Sequence, residues 1–443
     1  MLKETDVTTY LKNFVHTEEG NLTLFGASEQ KTRLETVKLD GQEVPYYINE
    51  FWTARQRQAS SIHEISYRAC FKPQLPRFFI KLLSQEGDLV YDPFSGRGTT
   101  ILEAALLGRR VMANDINPLS KILALPRLAV PPFTAVQQRL SQIPPDGSAE
   151  TEMDLSVFFH TGGHGDPPLH NNAETEMDLS MFFHPDTEAE ILSLRNYLRQ
   201  VREAGLEDEV DRWIRMVATN RLTGHSNGFF SVYTLPPNQA VTAEKQLRIN
   251  MRRNQQPTYR DTRKLILKKT HSLIKDLAAG EITRLRDAAQ SAVFLETDAR
   301  RTPQIPSQSV QLTVTSPPFL DIVQYSQDNW LRCWFNSIPM AEIEHQITMA
   351  KTVEQWSMVM GAVFKELYRI TQKNGWVAFE VGEIKHGRIR LDEHVVPLGL
   401  SAGFNCEGVT INLQEFTKTS NIWGVGNNNL GTNTNRIVLF RRD

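Results

Sequence analysis

The sequence predicts an α/β protein, a parallel sheet whose alternating strands and helices are interrupted by a large, mainly helical insertion. Three observations carry this. Residues 89–113 read as strand, Gly-rich turn, helix and strand, the span of one βαβ unit. The same alternation resumes at Ser291 after a long stretch of helical text. The chain has 443 residues, 40% hydrophobic and 23% charged, enough for two or three folded units and too ordinary for a fibrous or disordered class. The expected divisions are an N-terminal segment (1–60), the first part of the sheet domain (61–125), the helical insertion (126–290) and the second part of the sheet domain (291–443).

The elements follow in order. A helix over 75–83 and a turn at Glu86-Gly87-Asp88 lead into a short apolar strand, 89–91. After the Gly-rich turn, a helix over about 99–107 closes at Gly108, and a second strand, 110–113, ends at Asn114-Asp115. The insertion opens with Pro-rich text and a duplication, AETEMDLSVFFH at 149–160 recurring as AETEMDLSMFFH at 173–184. Two copies do not make a solenoid, and the Gly/Pro/His text between them reads as a tolerant surface loop. Helices are expected over 186–206 and 209–219, then a strongly basic helical segment to about residue 279. Strands SAVFLETDAR and SVQLTVTSPPF follow, then a helix over 353–371 and the strand WVAFEVGEI. VTINLQEF and NRIVLFRR close the chain as an antiparallel pair.

Several classes drop out. No apolar run approaches the roughly 18 residues needed to span a bilayer, and the start lacks the apolar stretch of a secretory signal. Cys70, Cys333 and Cys406 are far apart and form no CxxC, which excludes a disulfide scaffold and a zinc ribbon and fits a reducing cytosol. His160, His164 and His170 have no cysteine near them and are declined as a zinc site.

Four features carry chemistry. In Asp92-Pro93-Phe94-Ser95-Gly96-Arg97-Gly98-Thr99-Thr100, two glycines let backbone approach a ligand at the N-terminus of a helix. Asp115, at the next strand end, has the position of an acceptor for ribose hydroxyls, or of a cap for the turn beginning at Asn117. Asp298, a strand further on, suits an adenine amino group, or is a solvated loop aspartate. Thr315-Ser316-Pro317-Pro318-Phe319 follows a strand directly: two prolines fix the backbone, Ser316 and the Pro317 carbonyl are acceptors, and Phe319 offers a stacking face. Such a site suits an exocyclic amine on an aromatic base.

DPFSGRGTT resembles the S-adenosylmethionine loop of the amino-methylating DNA methyltransferases, and TSPPF resembles their catalytic tetrapeptide with its preceding Thr. FKPQLPRFFI is similar to the segment that covers the methionine end of the cofactor in that family. The resemblance covers about residues 63–122 and 291–443, and it implies a Rossmann-like methyltransferase sheet. By it, Lys72, Pro73, Asp92, Phe94, Gly96, Gly98, Thr99, Asp115 and Asp298 bind S-adenosylmethionine. Ser316, Pro317, Pro318 and Phe319 are catalytic, and serine at 316 favours cytosine N4 over adenine N6. Implied partners are double-stranded DNA and a separate cognate restriction endonuclease, in a prokaryotic or phage cytoplasm, with no membrane. An N6-adenine enzyme, a tRNA guanosine-N2 methyltransferase and a nucleic-acid-binding protein that kept the fold remain alternatives.

Net charge is −2, which by itself points to no polyanionic partner, but the charge is uneven. Residues 245–269 hold nine lysines and arginines against the single acid Asp261. Arg248, Arg252, Arg253, Arg263, Lys264 and Lys268 are the expected DNA-contacting cations of this insertion. The expected chemistry is base flipping followed by direct attack on the methyl group. A C5 mechanism would need a Pro-Cys nucleophile, and none of the three cysteines follows a proline.

Overall fold

The computed structural model describes residues 4–16, 30–53, 59–67, 70–145, 177–234, 240–318, 325–339, 350–384, 389–413 and 434–443. Phe319, the first duplicated copy, the three histidines between the copies and the Asn/Gly-rich 418–433 stretch lie outside the described residues.

The chain starts with α1 (Glu4–Lys12), a small pair β1 (Val15–His16) and β2 (Gln30–Lys31), and a hairpin of β3 (Arg33–Leu39) and β4 (Gln42–Asn49). The turn residues Asp40 and Gly41 both have positive φ, 49° and 80°, as the tight hairpin turn of an Asp-Gly pair requires. Then come α2 (Gln74–Leu83), β5 (Leu89–Asp92), α3 (Thr99–Leu106) and β6 (Arg110–Asn114). Next are α4 (Leu119–Ala124), α5 (Phe133–Gln142), α6 (Pro185–Glu203), α7 (Glu209–Arg221), α8 (Ala243–Arg253), α9 (Thr262–Ile274) and α10 (Ala279–Ser291). The sheet text returns as β7 (Val293–Leu295), β8 (Val310–Thr315), α11 (Tyr325–Phe335), α12 (Val353–Ile370) and β9 (Thr371–Val381). A small pair, β10 (Glu383–Ile384) and β11 (Ile389–Arg390), precedes α13 (Leu391–Ala402), β12 (Asn405–Leu413) and β13 (Thr434–Arg441).

Among the described residues one nine-stranded sheet runs β3-β4-β12-β13-β9-β8-β5-β6-β7. Strands β9, β8, β5, β6 and β7 are mutually parallel, and β13 lies antiparallel to both β9 and β12. The chain leaves β5 in one direction, through β6 to β7, then returns to β8 on the other side of β5. The carboxyl ends of β5 and β8 therefore flank the topological switch point, where open α/β sheets hold their ligands. The expected terminal antiparallel pair is β12 with β13. The polar first 60 residues, which gave weak signals, add a hairpin to the sheet, with β4 parallel to β12.

One hydrophobic core continues from the sheet into the insertion: Val90, Ile101 and Leu312 share a cluster with Leu194, Trp213 and Phe230. The basic segment, read from sequence as helical to about residue 279, is two helices, α8 and α9. Asn254 leaves the helical region with φ +47° and ends α8, and Asp261 caps α9 by accepting from Lys264 N at 2.9 Å. The second duplicated copy also departs from expectation. Its Leu179, Phe182 and Phe183 are buried, and Phe182 packs 6.0 Å from Trp330. His184 then caps α6, its ring nitrogen accepting from Asp186 N. Apolar burial won over the surrounding Gly/Pro text, so the described part of this copy, 177–184, is core rather than slack, in a turn that leads into α6.

Candidate functional site

The site grows from the ends of β5, β6 and β8. Asp92 closes β5 and is buried; its Oδ1 accepts from the Thr315 hydroxyl at 2.7 Å and from Phe94 N at 3.1 Å. Burial pushes its carboxyl up to about 6, against the pull of those hydrogen bonds. The bond from Thr315 joins the end of the strand that carries Ser316 to the start of the Gly-rich loop. A second tie has the same effect: the Thr100 hydroxyl at the head of α3 donates to the Val314 carbonyl at 3.1 Å.

Within the loop Gly96 has φ +51° and Gly98 φ +77°. A Cβ at Gly96 would stand 3.7 Å from the Tyr67 ring, in ordinary contact. At Gly98 it would stand 2.5 Å from the Ala124 Cβ, so glycine there lets α3 and α4 approach each other. Thr99 is buried and its hydroxyl accepts from Arg97 Nε at 3.1 Å, while Phe94 is half-buried against the core on the sheet's other face. The Ser95 hydroxyl is buried with no hydrogen-bond partner among the described residues.

Asp115 is the cap its sequence position allows, and it braces the Gly-rich loop as well. Its Oδ2 accepts from Gly96 N at 2.8 Å, and its Oδ1 accepts from Asn117 N at 2.9 Å, capping the turn into α4. Burial pushes this carboxyl, too, up to about 6. Each oxygen keeps acceptor capacity, since a carboxylate offers about four lone-pair sites. Asp298 is half-buried in the turn after β7, where Arg300 grips both oxygens at 2.8–2.9 Å through Nε and holds the carboxyl below its usual range. Pro73 is buried at the N-cap of α2, and Lys72 beside it is exposed, its amine held somewhat below the usual range by partial burial.

On the catalytic side Pro317 is buried, and Ser316 and Pro318 are half-buried. The Pro318 carbonyl accepts from Trp356 Nε1 on α12 at 3.1 Å, which anchors the turn from behind.

Three residues escaped sequence reasoning. Asn114 accepts from Thr297 N at 3.1 Å and donates to the Pro93 and Thr297 carbonyls at 3.2 and 2.9 Å, stapling the ends of β5, β6 and β7. Arg127 is buried and donates to the Leu123, Ile62 and Arg97 carbonyls, so a cation holds the Gly-rich loop from below. Burial, with Arg97 nearby, pulls its guanidinium down to about 9. Glu380, near the end of β9, is buried next to Ser316 across the β8–β9 pairing; Asn435 Nδ2 donates to its Oε1 at 3.1 Å. A lone acid in the apolar strand WVAFEV was the available signal.

The basic insertion divides. Arg252, Lys264 and Lys268 are exposed and make no ion pair among the described residues. Arg248 pairs with Glu244 one turn back, an acid just outside the cationic run. Arg253 stacks 3.8 Å over the Tyr233 ring. Arg263 turns inward and donates to the Ile143 carbonyl at the end of α5, so packing rather than solvent claims it.

The strand order is that of an open, Rossmann-like α/β sheet, with Asp92 and Asp115 at the ends of adjacent parallel strands beside its switch point. Residues 18–122 match the family model described as DNA methylase. The chain is 34% identical over 70 residues to the type II methyltransferase M.MjaII of Methanocaldococcus jannaschii, covering 16% of this chain and 13% of that protein. It is 29% identical over 101 residues to the type II methyltransferase M.MvaI of Kocuria varians (22% and 21%). It is 33% identical over 93 residues to the orphan methyltransferase M.BamHII of Bacillus amyloliquefaciens (18% and 35%). The alignments thus span about a third or less of these relatives' own length.

Proposed function

We propose that the protein is a DNA methyltransferase that transfers the methyl group of S-adenosylmethionine to the N4 amine of cytosine in double-stranded DNA. The observation that carries this reading is the 2.7 Å bond from Thr315 to Asp92, which puts the SPP turn against the Gly-rich loop at the switch point. The DNA methylase match over 18–122 supports the same class.

The residues fit the cofactor. The Asp115 carboxylate retains acceptors for ribose hydroxyls, the unpartnered Ser95 hydroxyl and the head of α3 offer further polar contacts, and Gly96 keeps the loop low. Pro73 and Lys72 stand ready for the methionine end. Asp298 would reach an adenine amino group only by sharing its oxygens with Arg300. S-adenosylmethionine, when bound, supplies an electrophilic methyl on a sulfonium. The chain's task is positioning and acceptor electrostatics. Ser316 and the Pro317 carbonyl accept hydrogen bonds from the amine, which favours the sp³ nitrogen and frees its lone pair for in-line attack. Phe319 stacks on the flipped base. Arg252, Lys264 and Lys268 are the cations best placed for phosphates, with Arg248 and Arg253 at hand if they leave their present partners.

Nucleoside mass spectrometry of DNA incubated with protein and cofactor tests the specificity. N4-methylcytosine is expected. N6-methyladenine would preserve the mechanism and overturn the inference from Ser316, and 5-methylcytosine would overturn the mechanism.

A further inference from the structure

Direct attack by an amine leaves a nitrogen with one proton too many. The methyl carbon gains a bond to nitrogen as its bond to sulfur breaks, the sulfur keeps that electron pair, and the methylated ammonium must lose a proton to become neutral. The SPP turn itself holds no base: a serine hydroxyl is a relay, and proline carbonyls are acceptors only.

The sheet supplies one. Thr315 pairs with Phe379 on β9, so the next residues of the two strands, Ser316 and Glu380, lie side by side beyond the last paired position. Glu380 is directly opposite Ile437 of β13, and Asn435, two residues back on the same face, donates to its Oε1 at 3.1 Å. From this geometry we infer that Glu380 is the proton acceptor of the transfer step, acting through the Ser316 hydroxyl. The proton leaves the methylated amine for Ser316 Oγ as the serine's own proton passes to the Glu380 carboxylate. The inference rests on the proposed amino-methyl transfer and adds to it the fate of the proton and a positioning residue on a different strand.

The surroundings suit the task. Burial is the main cause that lifts the Glu380 carboxyl to about 7, with the neighbouring Ser316 and Asn435 side chains holding it down, and an acceptor works best when its pKa lies near the working pH. The groups around it are defined. Ser316 and Asn435 share its face, and Asp92 lies beyond Thr315 on the preceding strands. On the other face of β13, Arg436 is spent on Glu383 at 2.7 Å and Asp392 at 3.2 Å, so that cation does not neutralise Glu380.

The test is the pH dependence of single-turnover methyl transfer to DNA by the intact protein, with cofactor affinity measured alongside by calorimetry. The wild type should speed up as pH rises, with a midpoint near 7. Glu380→Gln should lose about a hundredfold in rate and flatten that limb, with cofactor affinity unchanged. Asn435→Ala, which removes a donor from the carboxylate, should move the midpoint upward. Retention of both rate and limb by Glu380→Gln overturns the inference. So does an unmoved midpoint in Asn435→Ala, which decides the matter if the Gln variant fails to fold. Failure of the wild type to label DNA would instead sink the proposed function, and the two failures are read separately.

Discussion

At the residue scale the two loop glycines make opposite demands. Gly98→Ala forces a Cβ to 2.5 Å from Ala124 at φ +77°, so chemical denaturation should show a loss of about 2–4 kcal/mol, the sum of overpacking and a left-handed penalty. Gly96→Ala meets only a ring edge at 3.7 Å and should cost about 1–2 kcal/mol, with its larger effect on cofactor affinity. The carboxylates add a pH signature. Burial raises Asp92 and Asp115 from ordinary values near 3.8 to about 6, so the folded protein holds protons there that the unfolded chain has released. Stability from this pair is therefore greatest below pH 4 and falls as pH climbs to 6. Cofactor affinity should run the other way. An ionised Asp115 is the better acceptor for ribose hydroxyls, so calorimetry should find binding tightening as pH passes up through about 6. Asp115→Asn should lose that limb; a variant that kept it would remove Asp115 from the ribose role. Asp115 was legible in the sequence because a strand end and a turn met there. Its simultaneous bonds to Gly96 N and Asn117 N were not, because they depend on how the loop folds back across the sheet.

At the element scale the βαβ unit was legible because each piece carries its own punctuation, Gly87 before β5, Gly98 before α3 and Gly108 before β6. The β3–β4 hairpin was missed although Asp40-Gly41 announces it, because β3 is largely exposed and its polar text masks the alternation. The duplication misled for the converse reason: the Gly/Pro/His text between the copies drew attention from their apolar residues, and the second copy's Phe182 and Phe183 are buried in the core. Phe182→Ala or Phe183→Ala should each cost about 3–5 kcal/mol in urea unfolding. Removing residues 149–172, the first copy and its linker, should leave the midpoint near that of the wild type. The basic helices yield a graded prediction. Alanine at Arg252, Lys264 or Lys268 should lower the slope of log K for DNA against log salt by about 0.9 per cation, as for any phosphate contact. Arg263→Ala should leave the slope alone and lower stability, because its guanidinium serves the end of α5. Spacing showed where the cations cluster but not which of them are claimed by neighbours.

At the scale of the whole molecule, function rests on the switch point created when the chain leaves β5 for β6 and returns to β8. Sequence separates Asp92 from Thr315 by the entire helical insertion, and the fold closes that gap to a 2.7 Å hydrogen bond. The motifs on either side were readable as words. Their neighbour across the sheet, Glu380, was not, since only parallel pairing of β8 with β9 brings it to Ser316. The central claim, that these parts act as one site on DNA, is tested most directly by transfer of a tritiated methyl group from S-adenosylmethionine to double-stranded DNA. TRNA serves as the competing substrate and Ser316→Ala as the matched variant. The expected result is label in DNA alone, with Ser316→Ala binding cofactor normally but turning over more slowly, because the lost acceptor matters most as the amine rehybridises. Label in tRNA and none in DNA, or a Ser316→Ala variant as fast as the wild type, would contradict the account.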